Sequence, residues 1–85
     1  MLKLRKLLVK AMASRNMRFD EFTVLVEGFG FELKRISGSH RIYRHERVSE
    51  VLSLQPDKNG QAKPYQIRLL LRLVEEYSLT LAEDE

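Results

Sequence analysis

Two histidines, His40 and His45, are the side chains of this 85-residue sequence whose unperturbed pKa suits proton transfer near neutral pH. They stand five positions apart in one strand-like run. An odd separation sends them to opposite faces of a sheet, so without a bulge they cannot share a metal ion. We therefore expect no metal site and no cofactor. His40 follows the turn residues Gly38 and Ser39 and has Arg41 and Arg44 close by in sequence. A phosphodiester could be held there by guanidinium groups while the imidazole moves a proton. RNA brings its own nucleophile, the 2′-hydroxyl, so phosphate clamps and one proton-transfer group, worth roughly 100- to 10,000-fold, suffice as an inventory. Position alone does not separate this reading from an inert surface histidine, which such placements more often hold.

A second anion site is readable around Lys58 and Lys63, which flank the loop before the last predicted helix. Free amides and the positive dipole end at a helix N-terminus attract phosphate. Exposed loops are also where lysines are simply solvated.

The elements that must position these residues follow from periodicity. Leu4, Leu7, Leu8, Ala11 and Met12 recur at helical spacing, with Lys3, Arg5, Lys6 and Lys10 largely on other faces, giving an amphipathic helix ending near Ser14. Residues 15–18 read as a connector. Asp20 is an N-cap candidate for a second helix of about ten residues, with Phe22, Leu25 and Val26 on its core side and Gly28 and Gly30 at its end. Residues 29–36 alternate as a strand and turn through Gly38 and Ser39 into a second strand, 40–45. Residues 51–55 form a third strand after the polar stretch 46–50. Asn59-Gly60 marks a loop, and Pro64 opens a helix whose stripe is Ile67, Leu70, Leu71, Val74 and Tyr77. Leu69 and Leu73 widen that stripe, and we expect the N-terminal helix to cover them. This order specifies an α+β fold, a three-stranded antiparallel sheet with helices on one face.

Composition bounds the rest. The length suits a single domain, 1–85, comprising an N-terminal helix (1–14), a core (19–79) and an acidic tail (80–85). Hydrophobic residues at 44% and charged residues at 32% are globular proportions, and without cysteine neither disulfides nor a thiolate metal site can staple so small a fold. Fifteen Lys and Arg against twelve Asp and Glu give a net charge of +3, too little by itself to identify a nucleic-acid binder. The excess is concentrated in the middle, at Lys34, Arg35, Arg41, Arg44 and Arg47. Lysines and arginines interrupt the leucine-rich N-terminus, so we expect no signal sequence or membrane span and a cytoplasmic location.

The run from Gly28 through Gly38-Ser39-His40 to His45 resembles the core of the HicA toxin family, in which a helix ends at a Gly-Phe pair, a strand follows, and a Gly-Ser-His turn opens an apolar-aromatic strand. The ordering carries the resemblance, because the tripeptide alone is weak. The resemblance implies a fold like that of double-stranded-RNA-binding domains, messenger-RNA cleavage without a metal, and a cognate HicB antitoxin that blocks the toxin. Carried over by position, His40 is the catalytic histidine, Gly38 and Ser39 shape its turn, and Tyr43 is the aromatic of the second strand. Arg41, Arg44, Lys58 and Lys63 are RNA contacts on physical grounds only. The chain has Arg41 where many members carry a second histidine, and Glu46 where they carry proline. With its N-terminal helix and its 55–64 segment, it reads as an extended or divergent branch.

Three functions compete. The first is an endoribonuclease toxin, monomeric when free, that acts on messenger RNA. The second is a non-catalytic module that recognises RNA through phosphates and 2′-hydroxyls, and needs no histidine. The third is a protein-interaction adaptor working through the wide apolar face of the last helix.

Overall fold

The computed structural model describes residues 3–13 and 16–82, so the expected α1 terminus at Ser14 and the acidic residues 83–85 lie outside the described residues. The elements are α1 (Leu4–Ala13), α2 (Phe19–Gly28), β1 (Glu32–Ser37), β2 (His40–His45), β3 (Val48–Leu54) and α3 (Pro64–Glu76). The three strands pair antiparallel in the order β1-β2-β3, giving the expected α+β fold of the double-stranded-RNA-binding-domain type with an additional N-terminal helix.

Each boundary has a local cause. α2 starts ahead of Asp20: Arg18 is its N-cap, and the Arg18 amide donates to Glu21 Oε1 at 3.0 Å. Asp20 lies instead in the first turn, where its charge meets the positive end of the dipole. The chain entering α2 is also pinned from outside. Phe19 N donates to Gly60 O at 3.0 Å and Ala62 N donates to Met17 O at 2.9 Å. This ties the 57–62 loop to the start of the helix.

α2 and α3 end in the same way. Past α2, Gly30 N donates to Glu27 O and Phe31 N to Val26 O; past α3, Ser78 N donates to Glu75 O and Leu79 N to Val74 O. This is the paired bonding of a Schellman cap, with a left-handed residue at its centre and an apolar residue after it. Gly30 holds that position at φ +98°, and Phe31 after it is buried. The cap consumes residues 29–31, which is why β1 begins at Glu32 and not at the expected residue 29. At the second cap Ser78 takes φ +53° and Leu79 is buried. A non-glycine residue is disfavoured there. Ser78→Gly is accordingly expected to raise stability by about 1 kcal/mol, after the entropy glycine loses on folding, read as a higher denaturant midpoint at unchanged slope.

β3 begins at Val48, earlier than the expected residue 51, because Glu46 and Arg47 alone make the turn from β2. An irregularity between Tyr43 and His45 absorbs the extra residues of β3 and sets His45 opposite Val48. Arg47 fastens this turn: its amide donates to His45 Nδ1 at 3.0 Å and its guanidinium to Tyr77 O at 2.7 Å.

Phe22, Leu25, Val26, Tyr43, Leu52, Leu54, Ile67, Leu70 and Leu73 form the centre of the core. Leu73 is buried with the main stripe of α3 and not beside it. α1 packs along α2, with Leu4 filling the space a side chain at Gly28 would need and Lys10 Nζ bonded to Glu21 Oε1 at 3.0 Å. The core also takes in Leu79 and Leu81, the latter within the segment expected to be a tail.

Candidate active site

His40 is the first residue of β2, directly after the two-residue turn Gly38-Ser39. Gly38 has φ +62° while Ser39 does not enter the positive range, the φ pattern of a type II′ hairpin turn with glycine first. Such a turn twists as the strands do and brings His40 opposite Ser37 in β1. On the other side Arg41 pairs with Leu54, so the next residue, Gln55, comes alongside His40. Ser39 Oγ donates to Gln55 Oε1 at 2.9 Å, bracing the turn against the end of β3. His40 is exposed, and among the described residues nothing bonds to its ring.

Side-chain direction divides the neighbouring arginines. Arg44, an even number of residues from His40, shares its face of the sheet, pointing away from the helices. Arg41 points to the helix side, its guanidinium carbon 5.6 Å from the centre of the Phe19 ring. That is a cation–π contact at the start of α2. The two arginines therefore do not form one clamp around His40. Tyr43 also faces the helices and is fully buried, with no hydrogen-bond partner for its hydroxyl among the described residues. Burial pushes the phenol above its ordinary value of 10.0 and the charge of Glu27 pushes the same way; the nearby Arg41 guanidinium, short of hydrogen-bond geometry, pulls against both without reversing them. Tyr43 thus stays protonated at neutral pH and acts as core.

Lys58 is exposed in the loop after β3, and Lys63 is the half-buried N-cap of α3. The loop between them is closed by Asp57, whose Oδ1 accepts the amides of Asn59 at 2.8 Å and Gln61 at 2.9 Å. Those two bonds hold the Asp57 carboxyl below its ordinary value, with Lys63 and Lys58 adding to the effect. Because this loop follows β3 and is tied to Phe19, it lies at the hairpin end of the sheet, as do the N-termini of α2 and α3. The two lysines therefore share an end with His40 but belong to the helix layer.

His45 is elsewhere. It lies at the far end of β2 on the helix side, edge-on to Phe31 with ring centres 5.2 Å apart. Its Nδ1 accepts the Arg47 amide, which places the ring proton on Nε2. The two histidines thus sit on opposite faces, and His45 acts as a structural link. A recess of about 910 Å³, lined in part by Gly30, Arg44, His45, Arg47 and Leu79, lies at this far end, away from His40.

Arg35 is a residue the sequence did not reveal as part of the site. Strict alternation from Leu33 would turn it toward the core. Instead a bulge between Leu33 and Arg35 inserts Lys34 and resets the phase, so Arg35 pairs with Ile42 on the same face as His40.

Among known proteins, a family model described as the HicA toxin of bacterial toxin–antitoxin systems matches residues 19–75, more than half of the chain and the whole span from the start of α2 nearly to the end of α3. No curated protein and no solved structure matches the chain.

Proposed function

Since the chain belongs to the HicA toxin family, we propose that it is a metal-independent endoribonuclease toxin that cleaves messenger RNA, with His40 as its proton-transfer group and a HicB-like antitoxin as its neutralising partner. The observation that supports this reading is the exposed imidazole of His40, set by a braced type II′ turn on an open sheet face that also carries Arg44.

The chemistry needs little else. The ribose 2′-oxygen attacks the adjacent phosphorus, its proton passing to a base, while the bond from phosphorus to the 5′-oxygen breaks and that oxygen takes up a proton. The products are a 2′,3′-cyclic phosphate and a 5′-hydroxyl. His40 serves one of the two proton transfers, and solvent at this exposed site serves the other. Arginine on the phosphate offsets the charge gathering on its oxygens. Ser39 and Gly38 act through the placement of His40. Lys58 and Lys63, at the same end, hold flanking phosphate beside the two helix N-termini.

No helix among the described residues is long and apolar enough to cross a membrane. The action of the toxin on messenger RNA places it in the cytoplasm. The competing reading, an RNA-binding module without activity, draws on the unbonded His40 ring, since a working base is usually oriented by a third group.

The test is to incubate the purified protein with a structured messenger RNA in excess EDTA and identify the fragment ends. Cleavage leaving 2′,3′-cyclic phosphate is the expected result. Cleavage abolished by EDTA would refute the metal-independent mechanism, and salt-sensitive binding without cleavage would establish the binding module instead.

A further inference from the structure

The open face of the sheet carries more than His40. Directly paired residues share a face, so three rows run across it: Ser37 with His40, Arg35 with Ile42 and Ser53, and Glu32 with Arg44. Val51 of β3, also exposed, adds a second apolar side chain beside Ile42. The buried residues of the sheet, Tyr43, Val48, Leu52 and Leu54, all point to the helices. The charge of the open face is one-sided. Its single carboxylate, Glu32, accepts Lys34 Nζ at 2.8 Å, leaving Arg35 and Arg44 without an ionic partner among the described residues.

We propose that RNA reaches His40 as an unpaired strand laid across this open sheet face, with Arg35 and Arg44 holding its backbone phosphates. The inference rests on the ribonuclease reading and adds to it the strandedness of the substrate and the role of Arg35.

Three arguments carry it. The face is small: neighbouring strands are about 4.8 Å apart, so β1 to β3 spans roughly 10 Å, enough for one strand, whereas duplex recognition by this fold type extends over about 16 base pairs and two minor grooves. Its residues are spaced to follow a backbone. Arg35 is the diagonal neighbour of His40, roughly 7–8 Å away, and Arg44 lies about 13 Å along β2, with Ile42 and Val51 as an apolar floor between them. The reaction adds its own demand. The 2′-oxygen, phosphorus and departing 5′-oxygen must come into line, a geometry an unpaired nucleotide can adopt and the regular stacking of an A-form helix opposes.

The test measures binding without turnover, using the His40→Ala protein and one fluorescein-labelled RNA presented either unpaired or annealed to its complement. The unpaired RNA is expected to bind at least tenfold more tightly. Arg35→Ala and Arg44→Ala, added singly, should each weaken it about tenfold and lower the salt slope by roughly 0.7, the effect of one lost phosphate contact on a single strand. Arg68→Ala, on the exposed side of α3, should leave it unchanged. Circular dichroism confirms that each variant is folded. Equal or tighter binding of the duplex, or unaltered affinity in both Arg35→Ala and Arg44→Ala, overturns the open-face path while leaving the ribonuclease reading intact. Failure of the His40→Ala protein to bind either RNA overturns both.

Discussion

Replacing His40 by alanine is expected to slow RNA cleavage roughly 100- to 10,000-fold while changing stability by less than about 0.5 kcal/mol. The two halves of this result have separate origins. The rate falls because the imidazole is the group at the hairpin end suited to proton transfer near neutral pH: Tyr43 is buried with its pKa raised, and arginine and lysine remain charged. Stability holds because the ring is exposed and nothing among the described residues bonds to it. His45→Ala supplies the converse. It removes the edge-on contact with Phe31 and the acceptor of the Arg47 amide, so it should lower the unfolding free energy by about 1–2 kcal/mol and leave the cleavage rate of the folded fraction near wild type. Single-turnover rates with denaturant midpoints decide the matter. Cleavage surviving in His40→Ala, or lost in well-folded His45→Ala, would remove His40 from the role proposed for it.

That contrast is partly legible in the sequence. An odd spacing between two histidines in one strand places them on opposite faces, and the turn residues Gly38 and Ser39 mark which one stands at the mouth of a hairpin. Pro64 announced the first turn of α3 because its ring suits that position. Other features were written in interactions that sequence periodicity does not carry. The bulge at Lys34 rotates Arg35 onto the His40 face, and nothing in a period-two pattern signals where one residue is inserted. Arg41 reads as a clamp for the same phosphate as Arg44, yet the two stand three positions apart, an odd spacing, and only Arg44 lies on the open face. Asp20 resembled an N-cap by type. The cap fell to Arg18 because Glu21 accepts its amide and the 57–62 loop pairs with the chain just before α2, a contact between segments far apart in sequence.

The family match stops at residue 75, and the last stretch of the chain yields the largest stability prediction. Leu81→Ala is expected to cost 2–5 kcal/mol, about the loss seen when a buried leucine is truncated and its cavity stays partly open. The sequence around it suggests a tail, since the acidic residues Glu83, Asp84 and Glu85 follow. The structure assigns it to the core: Leu81 is 1% exposed and Leu79 is 7% exposed. The cap at the end of α3 explains how so short a segment returns. Ser78 takes the left-handed conformation, the Leu79 amide bonds back to Val74 O, and the reversal carries the chain back over the protein, with Leu81 two residues farther on. In a domain whose whole stability is about 5–15 kcal/mol, the loss of one such leucine should lower the melting temperature by at least roughly 8 °C. Val9→Ala is the matched control: Val9 is 59% exposed, so its truncation should change stability by less than about 0.5 kcal/mol. Equal melting temperatures for the two variants would show that residues 79–81 do not belong to the cooperative core. A large loss confined to Leu81→Ala would show that the folding unit extends beyond the segment by which the family is recognised.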